Sequence, residues 1–167
     1  NSGIQVRGAE HLAAALAPLR RLTVLHIDLE AERSARGLGD LALRRLAAAV
    51  RTLNNLEELH LNLAQGNFDR GLQKLAQALA PLRKLKTLCL NLCDSGVERE
   101  SVIEFSKAIA QLQDLKMLHL NLSMAEGAVM LAFAIERLPL LTSLQLELLG
   151  ASRPSFSHGG RPAKVLA

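Results

Sequence analysis

The stretch Leu85-Lys86-Thr87-Leu88-Cys89-Leu90-Asn91-Leu92 returns, with substitutions, four more times along this chain. The copies are Leu22-Thr23-Val24-Leu25-His26-Ile27-Asp28-Leu29, Leu56-Glu57-Glu58-Leu59-His60-Leu61-Asn62-Leu63, Leu115-Lys116-Met117-Leu118-His119-Leu120-Asn121-Leu122 and Leu141-Thr142-Ser143-Leu144-Gln145-Leu146-Glu147-Leu148. In each, apolar residues alternate with others over the last five positions, the period of a strand that buries one face. The copies begin 34, 29, 30 and 26 residues apart. Such a period marks units that cannot close a core alone and must stack on their neighbours.

A helical phrase precedes every strand phrase, with apolar residues at i, i+3, i+7 and i+10. These are Ala9, Leu12, Leu16 and Leu19; Leu43, Leu46, Val50 and Leu53; Leu72, Leu75, Leu79 and Leu82; Val102, Phe105, Ile109 and Leu112; and Ala128, Leu131, Ile135 and Leu138. This spacing draws one stripe along an α-helix. The last member of each set lies three residues before the first Leu of the strand phrase, so one short turn should deliver every helix into its strand.

A strand of pattern LxxLxLxL and a helix in each unit resemble the leucine-rich repeat family, its ribonuclease-inhibitor-like subtype in particular, over about residues 2–149. The LNL phrase is similar to repeat variants of single-celled eukaryotes. The resemblance implies an α/β solenoid of about five strand-helix repeats, with a parallel sheet on the concave face and helices outside. In one respect the chain departs from the subtype. Leu29, Leu63, Leu92, Leu122 and Leu148 extend the strand and no Asn closes it, so some other group must satisfy the backbone at that turn.

Composition agrees with a repeat. The chain has 167 residues, 49% of them hydrophobic, yet holds four Phe and neither Trp nor Tyr; its interior must be assembled from small interchangeable side chains. No apolar run approaches the roughly 18 residues that cross a membrane. The chain opens on Asn1 instead of Met and its Ser2-Gly3-Ile4 aligns with Ser95-Gly96-Val97. We therefore expect a trimmed chain that starts inside a repeat, with ends covered by neighbouring subunits. Residues 1–149 form the expected solenoid and 150–167 a non-repeat tail rich in Gly, Pro and Ser. Within that tail Phe156 is the candidate contact residue. Cys89 and Cys93, four residues apart, stand about 13 Å from each other on an extended chain, too far for a disulfide. Two reduced thiols point to an intracellular protein, in the cytosol or an organelle interior.

With the strand leucines inward, the side chains between them form the candidate face for a partner. They are Val24, His26 and Asp28; Glu58, His60 and Asn62; Thr87, Cys89 and Asn91; Met117, His119 and Asn121; and Ser143, Gln145 and Glu147. Strands about 4.8 Å apart stack equivalent positions into columns. The middle column carries His26, His60, Cys89 and His119, good donors for zinc or copper. Side chains in a column are expected to run near-parallel, whereas a metal needs them to converge, so no metal and no cofactor are assigned. A second group, Arg20, Arg21, Arg83, Lys84 and Lys86, should form a basic ridge along one rim.

Net charge is +4, but Arg153, Arg161 and Lys164 lie in the tail, and no exposed aromatics for base stacking are expected in the repeats. Both features argue against nucleic acid as the partner. No phosphate loop or nucleophile elbow is present. The expected function is a non-enzymatic protein–protein interaction module, an adaptor or accessory structural subunit of a larger assembly. The alternatives are an inhibitor or recognition receptor that clasps one protein, and a metal- or nucleic-acid-binding protein.

Overall fold

The computed structural model describes residues 2–30, 39–66, 68, 70–122, 128–148 and 165–166, the backbone alone for 2–7, 128 and 165–166. Helices and strands alternate: α1 (Ser2–Leu16), β1 (Val24–Asp28), α2 (Asp40–Val50), β2 (Glu58–Asn62), α3 (Gly71–Leu79), β3 (Thr87–Leu92), α4 (Arg99–Ile109), β4 (Met117–Leu122), α5 (Ala128–Ile135), β5 (Ser143–Leu148) and β6 (Val165–Leu166). The sheet runs β1-β2-β3-β4-β5-β6, and β1 to β5 are parallel to one another. Each helix contacts the next helix in sequence, α1 on α2 through α4 on α5. The result is one layer of strands backed by one layer of helices, each repeat touching its neighbours.

The expected helix-to-strand turn recurs without exception. The N–H groups of Leu22, Leu56, Leu85, Leu115 and Leu141 donate to the carbonyls of Leu19, Leu53, Leu82, Leu112 and Leu138, at 2.9–3.3 Å. The core lies between the layers and is driest in the middle of the stack. Leu59, Leu88, Leu118 and the helical Leu46, Leu75 and Ile109 are fully buried. At the two outer parallel strands Leu25 is still buried, but Ile27, Leu29, Leu144, Leu146 and Leu148 are half-buried, as nearest-neighbour stacking dictates.

The missing Asn ladder has a substitute in the strand-to-helix turns. Leu29 N–H donates to Asn62 O at 2.8 Å and Leu63 N–H to Asn91 O at 2.9 Å, so the extra leucine prolongs the sheet ladder by one bond. One residue earlier, Asn62 Oδ1 accepts from Ala64 N–H (3.3 Å) and Asn91 Oδ1 from Cys93 N–H (3.1 Å), a side chain closing its own turn. Buried Ser95 then donates through Oγ to Leu63 O at 3.2 Å, tying one repeat to the next.

Both ends of the described chain carry regular structure. Residues 2–4, which align in sequence with Ser95-Gly96-Val97, are helical and open α1. The segment after the repeats contributes β6. It pairs antiparallel with β5, Gln145 opposite Leu166 and Leu146 opposite Val165. Phe156 lies outside the described residues.

The candidate binding face

Parallel pairing sets the strand residues into three columns. The register joins His26, His60, Cys89, His119 and Gln145 in the middle; Val24, Glu58, Thr87, Met117 and Ser143 on one side; and Asp28, Asn62, Asn91, Asn121 and Glu147 on the other. The middle column and the last line an open depression of about 560 Å³, whose floor includes Ile27, Leu61 and Leu90. The other side column carries exposed apolar groups, with Val24 43% and Met117 42% exposed.

The columns divide into side chains with structural duties and side chains without. Asn62 and Asn91 close their own turns, and Asn62 Nδ2 also donates to Glu30 Oε2 at 3.1 Å. Glu147 is held by Asn121 Nδ2 and Gln145 Nε2, both at 2.9 Å. Asp28 Oδ1 accepts from Glu30 N–H at 3.1 Å. Glu30, which joins two of these bonds, escaped the sequence reading because it lies just past the repeated phrase. Substituting an asparagine here would disturb the turn together with the face; Val24, Thr87 and Met117 are the cleaner probes.

The middle column does not stay parallel throughout. The rings of His26 and His60 approach to 3.9 Å between centroids, tilted by 49°. Glu58, from the neighbouring column, brings its carboxylate within 4.8 Å of the donor atoms of both. Side chains on the inside of a curve lean together, so the near-parallel arrangement expected from the column alone does not hold at this end. The available signal was the i, i+2 spacing of Glu58 and His60, which places both on one face of β2. Burial, reinforced by His26 and His119 and opposed by Glu58, lowers the His60 pKa below its ordinary value. Burial and the Glu58 carboxylate push the Cys89 thiol up, away from the reactive thiolate. Cys89 and Cys93 are both free and half-buried.

The basic residues largely stitch repeats to one another. Lys84 Nζ donates to Asn55 Oδ1 at 2.7 Å, and Arg83 Nη1 donates to Gln111 O at 2.7 Å. Lys86 pairs with Glu57 at 2.6 Å, an exposed contact whose hydrogen bond lowers the carboxyl's pKa and raises the ammonium's. Arg20 and Arg21 are exposed at the equivalent turn. Among the described residues no helix is long and apolar enough to cross a membrane.

No protein-family model matches the sequence, and no curated protein does either. Among solved structures, actin-binding site 2 of leiomodin-1 is similar, with a TM-score of 0.56 and 16% identity over 82% of this chain and 73% of that one. The C-terminal domain of tropomodulin from Caenorhabditis elegans aligns with a TM-score of 0.49 and 13% identity, over 77% of this chain and 92% of that one. Together, the alternation of five helices with five parallel strands and the likeness to the leiomodin-1 structure show a leucine-rich-repeat-type α/β fold.

Proposed function

We propose that this chain is a non-enzymatic protein–protein interaction module, an adaptor or accessory subunit of a larger assembly, that receives its partner on the face of the parallel sheet. The carrying observation is the in-register column Val24, Glu58, Thr87, Met117 and Ser143. It presents exposed apolar groups at Val24 and Met117, and the asparagine side chains that close the strand-to-helix turns lie on the other side of the sheet. Five strands at about 4.8 Å and about 20 Å of strand length give a footprint near 400 Å². That is about half of the roughly 800 Å² a stable complex buries on each partner. The partner therefore either inserts a slim segment or continues onto the rim at Arg20 and Arg21 or onto the tail with Phe156. The division into a solenoid over 1–149 and a tail over 150–167 belongs to this reading, as do the ribonuclease-inhibitor-like subtype and an intracellular setting for the two free thiols.

Actin is the first defined partner to try, because the leiomodin-1 structure of similar fold is named as an actin-binding site. The reading itself is tested by affinity purification from the native source with the full chain and with a Thr87→Arg/Met117→Arg chain. A protein recovered with the first and lost with the second is the expected result. Identical recovery with both would place binding elsewhere on the molecule.

A further inference from the structure

We propose that His26, Glu58 and His60 form a site for one divalent transition-metal ion of the zinc class, at the β1–β2 end of the sheet face. The inference does not depend on the chain having a protein partner. Its foundation is geometric. Parallel register sets His26 directly opposite His60. Glu58, two residues before His60, shares its face of β2. One ligand atom from each of the three lies within 4.8 Å of the other two. Donors arranged tetrahedrally at about 2.0–2.1 Å from zinc stand roughly 3.4 Å apart. Small side-chain rotations close that difference, and all three groups are anchored on strands whose backbone is already paired.

The chemistry of the donors selects the ion. Two imidazoles and one carboxylate form a borderline set that suits Zn²⁺, Co²⁺, Ni²⁺ or Cu²⁺, whereas Ca²⁺ and Mg²⁺ require mostly oxygen. An imidazole must be neutral to offer its lone pair, so the ion competes with protons for these donors. The Glu58 charge offsets part of the ion's own. Three protein ligands leave one position open towards the depression, for water or for a donor that another molecule brings. Cys89, next in the column, is held towards the protonated thiol and is not part of the group.

The test uses the full chain, freed of metal with a chelator. Zinc is titrated by calorimetry, and cobalt by the visible bands of a four-coordinate site. We expect one ion per chain at micromolar metal. Loss of second-shell partners weakens metal sites roughly 10–100-fold. Removing a ligand by His26→Gln or His60→Gln should do at least as much, while His119→Gln should leave affinity unchanged. Should a variant fold poorly, the wild-type chain still decides: zinc should shift the ring resonances of His26 and His60 in NMR spectra and spare those of His11. The proposal is overturned by absence of binding, by binding that survives both histidine substitutions, by its loss in His119→Gln, or by unshifted His26 and His60 resonances.

Discussion

Gln65 and Asp94 occupy the same place in successive repeats, 29 residues apart, and both have left-handed backbone, with φ of 61° and 53°. The strand-to-helix turn demands that conformation, which non-glycine residues adopt at about 1–2 kcal/mol. At Gln65 a buried Oε1 without a hydrogen-bond partner among the described residues adds to the strain. The next residue shows the opposite constraint, since a Cβ on Gly66 would fall 2.2 Å from the Phe68 ring. We predict that Gln65→Gly leaves stability unchanged or raises it by up to about 1 kcal/mol. Gln65→Val, β-branched at positive φ, should lower it by at least about 1 kcal/mol. Urea denaturation of both variants checks the pair; equal midpoints would remove the turn from the account.

At the scale of elements, the repeats are joined by helix caps as well as by the sheet. Arg70, which precedes α3, offers no side-chain cap. Asp40, at the start of α2, supplies it from the preceding repeat: its Oδ1 accepts from Arg70 N–H at 2.7 Å and also from Gly71 N–H. A carboxylate there both satisfies free N–H groups and faces the positive end of the α3 dipole. Glycine opens α3 because a Cβ on residue 71 would meet Leu43 at 3.0 Å and Asp40 Oδ1 at 3.1 Å. Asp40→Ala should lower stability by about 1–2 kcal/mol. Asp40→Asn, which keeps the acceptor and loses only the charge, should lose about half of that. Comparison of their thermal midpoints decides whether the charge or the acceptor carries the cap. No spacing rule in the sequence indicated this contact, because Asp40 caps a helix that begins 31 residues later.

Across the whole molecule, what could be read from the sequence was whatever the repeat multiplies. Five copies of one phrase specify strand, helix, turn and column together, since parallel stacking leaves a single register that turns every strand leucine towards the helices. The singular features were not legible. The pairing of β6 with β5, the Asp40 cap and the approach of His26, Glu58 and His60 each depend on how one repeat meets another, or on a segment outside the pattern. The same distinction separates the parts of the sheet face. In the asparagine column Asn62 and Asn91 close their own turns, while Val24, Thr87 and Met117 make no such side-chain bond among the described residues and can face a partner. The proposed role puts that partner on the sheet face and not on the helical exterior. The direct measurement is the dissociation constant for the recovered partner, taken with Thr87→Arg/Met117→Arg on the sheet face and with Lys74→Glu/Lys107→Glu on α3 and α4. The few positions that dominate an interface contribute about 2 kcal/mol or more, so if Thr87 and Met117 are among them the first pair should weaken binding at least about 30-fold, with the second within about 2-fold of the parent chain. A loss confined to the helical pair would contradict the account.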